Sequence, residues 1–291
     1  MLDLLCIGEA MAELRQAPDG TFKQGFAGDT FNTAVYAGRV LGAGKVGFYS
    51  RVGSDPLSNA FADFTADEGL NPAWLMRETD ANIGIYSVAT DAAGERSFHY
   101  WRNQSAARQL FDEPEELPDA RLIYLSGITM AILSPEARKN VMQMIADLPD
   151  NALFAYDSQY RPKLWDSQGE AQDYTEAMWE LTDIALPSID DEMNLFNLPH
   201  EEDVLERFAG VDWTACAVKR GAQGPWSPTL DALPDFQPAA KVLDTTAAGD
   251  SFNAGYLAAF LTPGKSEADC LLAGHNLAAE VVGVPGAITP R

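Results

Sequence analysis

Five short, almost wholly apolar runs recur along this chain with amphipathic stretches between them, and that alternation limits the fold more than any other feature. The runs are Leu4-Leu5-Cys6-Ile7, Leu122-Ile123-Tyr124-Leu125, Ala152-Leu153-Phe154-Ala155-Tyr156, Ile184-Ala185-Leu186 and Cys216-Ala217-Val218. They lack the polar alternation of a strand with one wet face, so they read as parallel strands buried on both sides. Between them, 30–41, 56–68, 135–147 and 170–181 carry helical spacing, several opened by Ser or Pro. Strands alternating with helices predict an α/β fold: a doubly wound, mainly parallel sheet flanked by helices, with its site at the carboxyl ends of the strands. Two segments depart from this pattern. Residues 9–26 and 82–102 carry period-two alternation, with Ala92-Ala93-Gly94-Glu95 as a turn between Ile83-Gly84-Ile85-Tyr86-Ser87-Val88 and Ser97-Phe98-His99-Tyr100-Trp101. They predict a small β lid, formed by roughly 9–28 and 82–102 and crossing the sheet edge. With no low-complexity linker and no internal repeat, 1–291 reads as a single domain carrying that lid as an insertion.

Composition bears on where such a chain works. At 291 residues and 46% apolar it can bury one large core plus a small appendage. Cys6, Cys216 and Cys270 are odd in number and far apart, and Cys6 and Cys216 lie in strand-like runs. They read as buried free thiols in a reducing cytoplasm. Met1-Leu2-Asp3 lacks a basic leader, and no apolar run approaches membrane-spanning length, so neither secretion nor a membrane is expected. A net charge of −23 and a pI near 4.3 argue against nucleic-acid partners, whose phosphates would be repelled. The carboxylates are scattered, as on a solvated surface, and would also suit a saline habitat.

The chemistry concentrates in Asp244-Thr245-Thr246-Ala247-Ala248-Gly249-Asp250-Ser251-Phe252. Thr245 and Thr246 are cap-type residues, and Phe252, Tyr256, Leu257 and Phe260 continue with helical spacing, so a helix starts here. Its free amides and dipole form an anion site, and Gly249 has no Cβ to hold a phosphoryl group away. Asp250 lies in that field, which favours the ionised carboxylate; it could take a hydroxyl proton while the amides stabilise the transferring charge. A capped helix whose Asp merely complements the dipole has the same local pattern.

These residues resemble the D-T-x-A-G-D signature of the ribokinase-like (PfkB) carbohydrate kinases, here with one extra alanine. A second element of that family, its glycine-glycine-aspartate and asparagine sugar-binding turn, matches Gly25-Phe26-Ala27-Gly28-Asp29-Thr30-Phe31-Asn32, more than two hundred residues away. The resemblance covers essentially the whole chain and implies a ribokinase-like fold, Asp250 as catalytic base, and Ala247, Ala248 and Gly249 as the anion hole.

The acceptor is suggested by Tyr100-Trp101-Arg102-Asn103 and Asp157-Ser158-Gln159-Tyr160-Arg161-Pro162, which put two arginines beside aromatics at loop positions. Forked guanidinium donors suit the planar carboxylate of a sugar acid better than a neutral sugar. Surface ion pairing in a carboxylate-rich chain would also account for them. The Tyr-Trp-Arg-Asn and Tyr-Arg-Pro-x-Leu-Trp segments resemble those of 2-keto-3-deoxygluconate kinases. That resemblance implies that Gly28, Asp29, Asn32, Tyr86, Tyr100, Arg102, Arg161 and Asp250 line a sugar-acid site.

By the same resemblance ATP meets the turn Lys219-Arg220-Gly221-Ala222-Gln223-Gly224, with Lys219, Gly221, Ala222 and Gly224 as contacts alongside Thr245 and Gly249; the turn taken alone is also that of a hairpin. His275-Asn276 falls where the family often has an adenine-edge residue, with Asn276 or His275 as the contact; a core histidine or a helix-surface pair has the same pattern. His99, His200 and His275 lack metal-ligand spacing. ATP implies Mg²⁺, held largely by phosphates and water, with Asp191 and Glu192 as water-mediated carboxylates; a monovalent cation is a further candidate that the sequence does not decide.

Three positions depart from the family. Ala27 replaces the first glycine of the pair, which would strain a turn needing positive φ. Ile189-Asp190-Asp191-Glu192 replaces N-x-x-E without its asparagine, and Gln159 stands where relatives have asparagine. The expected activity is transfer of the ATP γ-phosphoryl group to 2-keto-3-deoxygluconate in the cytoplasm, by a chain that could form a homo-oligomer. The alternatives are a kinase of fructose or ribose type and a catalytically silent sugar-acid sensor. A nicotinamide oxidoreductase would need G-x-G-x-x-G after the first strand, and Ile7-Gly8-Glu9-Ala10-Met11-Ala12 does not supply it.

Overall fold

Leu4 and Cys6 face one side of the first strand and Leu5 and Ile7 the other, and all four are fully buried. A strand with no wet face has to lie inside a sheet covered by helices on both sides. The computed structural model, which describes residues 1–17, 19–90 and 96–291, has that architecture. In chain order it contains β1 (Leu2–Ile7), β2 (Met11–Gln16), β3 (Phe22–Ala27), α1 (Asp29–Leu41), β4 (Val46–Val52), α2 (Pro56–Asp67), β5 (Leu75–Arg77), β6 (Gly84–Thr90) and β7 (Arg96–Trp101). There follow β8 (Ala120–Ser126), α3 (Gly127–Ile132), α4 (Pro135–Ala146), β9 (Leu153–Asp157), α5 (Gln168–Glu180), β10 (Ile184–Ala185) and α6 (Ile189–Phe196). The chain closes with α7 (Glu201–Ala209), β11 (Ala215–Cys216), α8 (Ala248–Phe260) and α9 (Glu267–Val281).

The main sheet has seven strands in the order β11-β10-β9-β8-β1-β4-β5, every neighbouring pair parallel. One face packs on Phe31 and Val35 of α1, Phe61 of α2, Tyr256 and Leu257 of α8 and Leu271 of α9. The other packs on Val141 of α4, Met178 and Trp179 of α5, Leu195 of α6 and Phe208 of α7. Side-chain caps hold most helix starts: Asp55 accepts from the amides of Leu57 and Ser58, and Ser134, Ser167, Ser188 and Ser266 each accept from an amide three residues on. The five apolar runs all become strands of this sheet. The strand β4 is absent from the sequence expectation because Gly47, Ser50 and Arg51 interrupt its apolar run. Gly47 serves space rather than a turn, since a Cβ there would lie 2.6 Å from Leu2 Cδ1.

The two alternating segments form a second sheet in the order β3-β2-β6-β7, antiparallel except for the parallel β2–β6 pair. It stands off the carboxyl end of β1 as the expected lid. Met11, Ala27, Tyr86 and Val88 make a small core on its inner face, while Phe22 and Trp101 are exposed. The expected turn at 92–95 lies outside the described residues. Ala27 is the last residue of β3, and among the described residues it is not one of those with positive φ, so the anticipated strain does not arise. Cys6, Cys216 and Cys270 are buried free thiols, and no described helix is long and apolar enough to cross a membrane.

Candidate active site

Two helices start at the carboxyl edge of the main sheet without a side-chain cap. The residue preceding α1 is Gly28, where any Cβ would collide with the carbonyl oxygen of Glu9. The residue preceding α8 is Ala247, held in the left-handed region at φ 61°. The Ala248 amide closes a turn on the Thr245 carbonyl (3.2 Å), but among the described residues the amides of Gly249 and Asp250 have no acceptor. A Cβ at Gly249 would approach nothing closer than Lys219 Cε, at 3.9 Å, so the space before this helix start is open. Free amides, a dipole end and open space together favour an anion. The loop ahead of α8 is held by Asp244, which accepts from the Thr246 amide at 2.9 Å and the Gly286 amide at 2.6 Å.

Asp250 sits in the first turn of α8 and is 8% exposed. Its Oδ2 accepts from Asn32 Nδ2 at 2.8 Å and its Oδ1 from Gln159 Nε2 at 2.9 Å. Thr33 Oγ1 donates to the Asp250 carbonyl at 3.1 Å and fixes α1 against α8. Burial pushes the carboxyl up to about 7, and the nearby Asp29 adds to the rise; the two amide donors offset only part of it. The dipole field therefore does not set this residue's protonation as the sequence suggested: a carboxylate removed from water and facing a second carboxylate takes a proton near neutrality. Asp29 itself is raised by burial, against a hydrogen bond from Ser126.

The open helix starts face a cavity of about 1050 Å³ between the sheet edge and the lid. On its lid side stand Tyr86 and Tyr100, stacked 5.8 Å apart, with the Tyr86 hydroxyl donating to Glu13. Arg102 lines the same side, ion-paired to the buried Glu9 and 5.9 Å from the Tyr100 ring centroid. Its Nε–H has no acceptor among the described residues. Arg161 enters from the loop after β9, its Nη1 donating to the Tyr160 carbonyl (2.8 Å) and Asp191 Oδ1 (3.0 Å). Gly28, Asp29, Asn32, Gly221, Thr245 and the 247–250 segment are further expected site residues that line this cavity.

Four expected residues lie off it. Gly224 has φ 79° and abuts Phe236, where a Cβ would collide with the ring; it serves packing. Ala222 is exposed in the single turn before it. Asn276 is exposed on α9, while its neighbour His275 pairs with the Gln237 carbonyl at 2.7 Å and packs on Phe236. Glu192 is fully buried beneath α6, 3.5 Å from Arg207 Nε, and burial pushes it up to about 7. Asp191 does line the cavity, paired to Arg161. Lys219 also lines it, but all three of its ammonium N–H bonds have protein acceptors: Asp157 Oδ2 at 2.7 Å, Asn253 Oδ1 at 3.0 Å and the Leu186 carbonyl. It ties β9 to α8 beneath the site rather than reaching across it.

Three contributors were not assigned a role from sequence: Gln159, which grips Asp250; Glu9, which grips Arg102; and Lys163, which lines the cavity and makes no ion pair among the described residues. A polar loop directly after a predicted buried strand is the signal that could have found the first, since doubly wound sheets carry their sites there.

An α/β cleft in which an uncapped helix start meets a buried carboxylate defines a group-transfer enzyme acting on an anionic donor. The chain belongs to the pfkB family of carbohydrate kinases, whose family profile matches residues 1–291. It is 39% identical over 299 residues to the 2-dehydro-3-deoxygluconokinase of Escherichia coli (strain K12), covering 98% of this chain and 96% of that protein. To the 2-dehydro-3-deoxygluconokinase of Haemophilus influenzae it is 37% identical over 306 residues, covering 100% of this chain and 96% of that one. Among solved structures, the Vibrio cholerae O395 fructokinase with fructose, ADP and calcium ion bound superposes with a TM-score of 0.85 at 23% identity, over 99% of this chain and 95% of that one. That likeness is one of fold.

Proposed function

We propose that this protein transfers the γ-phosphoryl group of ATP to the terminal hydroxyl of 2-keto-3-deoxygluconate, the substrate that the names of its relatives at 37–39% identity carry in the form 2-dehydro-3-deoxygluconate. The observation that carries the reading is the meeting, in one cavity, of Asp250 at an uncapped helix start with two guanidinium groups that have donors to spare. Asp250, oriented by Asn32 and Gln159, accepts the hydroxyl proton as the sugar oxygen attacks. The amides of Gly249 and Asp250 stabilise the charge on the transferring group, and Lys163, which makes no ion pair among the described residues, is a cavity cation free to approach the nucleotide phosphates. Arg102 and Arg161 read the sugar carboxylate, each through nitrogens its protein partner leaves available. Tyr86 and Tyr100 cover the sugar from the lid side.

Among the described residues no three His, Cys, Asp or Glu side chains group closely enough to hold a metal by themselves. That suits Mg²⁺ held mainly by phosphates and water, with Asp191 and its neighbour Asp190 at the cavity wall. When bound, the ion supplies charge neutralisation on the phosphate oxygens. Three buried thiols and a nucleotide co-substrate suit the cytoplasm. The test is ADP release over a panel of sugars and sugar acids, run with Mg²⁺ and with Na⁺ or K⁺ alternately. Turnover with 2-keto-3-deoxygluconate at least about 100-fold above that with fructose or ribose is expected; comparable or higher turnover with a neutral sugar overturns the assignment.

A further inference from the structure

We infer that Glu9 is a positioning residue: by holding the Arg102 guanidinium it sets the preference of the site for a carboxylate-bearing sugar. This inference rests on the sugar-acid reading above. Glu9 lies in the short link between β1 and β2, where the chain passes from the main sheet into the lid, and Arg102 lies just past the end of β7, where it leaves the lid. Their pair is buried, with the Arg102 side chain 7% and the Glu9 side chain 1% exposed, and it joins the two sheets at the cavity wall. Ser105 donates from its hydroxyl to the other carboxylate oxygen of Glu9. Two glycines leave room for Glu9, Gly84 beside its carboxylate and Gly28 beside its backbone carbonyl. A Cβ at Gly84 would lie 2.9 Å from Glu9 Oε1, and one at Gly28 would collide with the Glu9 carbonyl oxygen.

A guanidinium removed from water without a counter-charge is strongly unfavourable, so Arg102 needs Glu9 in the ligand-free enzyme. Neutralised in this way, Arg102 no longer attracts anions through bulk charge. What remains is directional: buried Nε–H and Nη2–H donors with no hydrogen-bond acceptor among the described residues, kept beside the Glu9 carboxylate by the ion pair. A planar carboxylate placed correctly completes that fork, whereas a neutral sugar or a misplaced anion does not. Glu9 thereby acts through Arg102 without touching the reacting atoms.

The experiment is a cycle of Glu9→Asp, Glu9→Gln and Arg102→Ala, reading KM for 2-keto-3-deoxygluconate, KM for ATP and kcat. Glu9→Asp keeps the charge but withdraws it by one methylene and should raise the sugar-acid KM about 10-fold, the scale of one misaligned charge-assisted hydrogen bond. KM for ATP should stay within about twofold. Glu9→Gln keeps the shape and loses the charge; it should shift the same constant in the same direction, and it carries the test if the aspartate variant folds poorly. Neither change should raise the sugar-acid KM further in an Arg102→Ala background. The inference is overturned if sugar and ATP constants move together, or if the Glu9 effect is unchanged without Arg102. If Arg102→Ala itself leaves the sugar-acid KM unaltered, the carboxylate reading of Arg102 fails first. If Arg102→Ala raises it and the Glu9 variants do not, only the positioning role is lost.

Discussion

Replacing Asp250 by asparagine should make the protein more stable and almost inactive, and both effects follow from the same burial. An aspartate in an unfolded chain titrates near 3.8, whereas this carboxyl is pushed up to about 7 in the fold. Between those values the native state holds a proton that the unfolded state has released, so stability contributed by this residue falls as pH rises. Above pH 7 the whole penalty stands, at most about 4 kcal/mol from a shift of roughly three units. Asparagine removes the charge. It also presents an amide to Asn32 or Gln159, and one of those must turn its own amide over to accept, so a net gain of about 2 kcal/mol at pH 8 is expected. For a chain of this size that is several degrees in Tm, shrinking towards zero near pH 4. Meanwhile kcat should fall at least about 100-fold, because the group that takes the proton is gone. Thermal unfolding of both proteins at pH 4, 6 and 8, with kcat at saturating sugar, measures both effects. A variant that keeps its turnover would remove Asp250 from proton transfer, and one no more stable than the parent at pH 8 would show that its buried charge carries no penalty.

The wild-type kcat/KM should drop about tenfold per pH unit below about 7 and level off above it, as the free enzyme must present Asp250 ionised; Gln159→Leu, which removes one amide donor from that carboxylate, should move this limb to higher pH, and a limb that stays in place would separate Gln159 from Asp250. Arg161→Ala should cost about 10-fold in kcat/KM with the sugar acid, the low end of a charge-assisted bond, because this side chain is 47% exposed and screened. Arg102→Ala should cost more, since it also leaves Glu9 buried without its partner; equal losses on acidic and neutral substrates would make both arginines structural. Amide exchange over 96–101, where Tyr100 and Trp101 are half exposed or more, should slow on adding the sugar acid, and unchanged exchange would mark the lid as fixed scaffold.

Much of this arrangement is legible in the sequence because it rests on local patterns. Five of the seven parallel strands of the main sheet show as apolar runs, the lid as period-two alternation, and the α8 start as small residues before Gly249-Asp250. What does not show is pairing between distant segments. Glu9 and Arg102 lie ninety-three positions apart, and only the lid topology joins them. Lys219 looks like a nucleotide contact beside its glycines until Asp157, Asn253 and the Leu186 carbonyl take its three donors. Gly224 looks like a phosphate-approach glycine, yet it yields space to Phe236. The protonation of Asp250 is hidden for the same reason: a helix dipole is visible in sequence, whereas burial beside Asp29 is a property of the assembled site.

Whether this cleft moves a phosphoryl group onto the terminal hydroxyl of a sugar acid can be read from ³¹P NMR of the product. Protein, ATP, Mg²⁺ and 2-keto-3-deoxygluconate should yield, together with ADP, one new phosphomonoester whose phosphorus couples to the two protons of a primary carbon. The signal should be absent with Asp250→Asn on the same timescale. No new phosphomonoester from the sugar acid, while fructose or ribose gives one under identical conditions, would make a neutral sugar the acceptor instead.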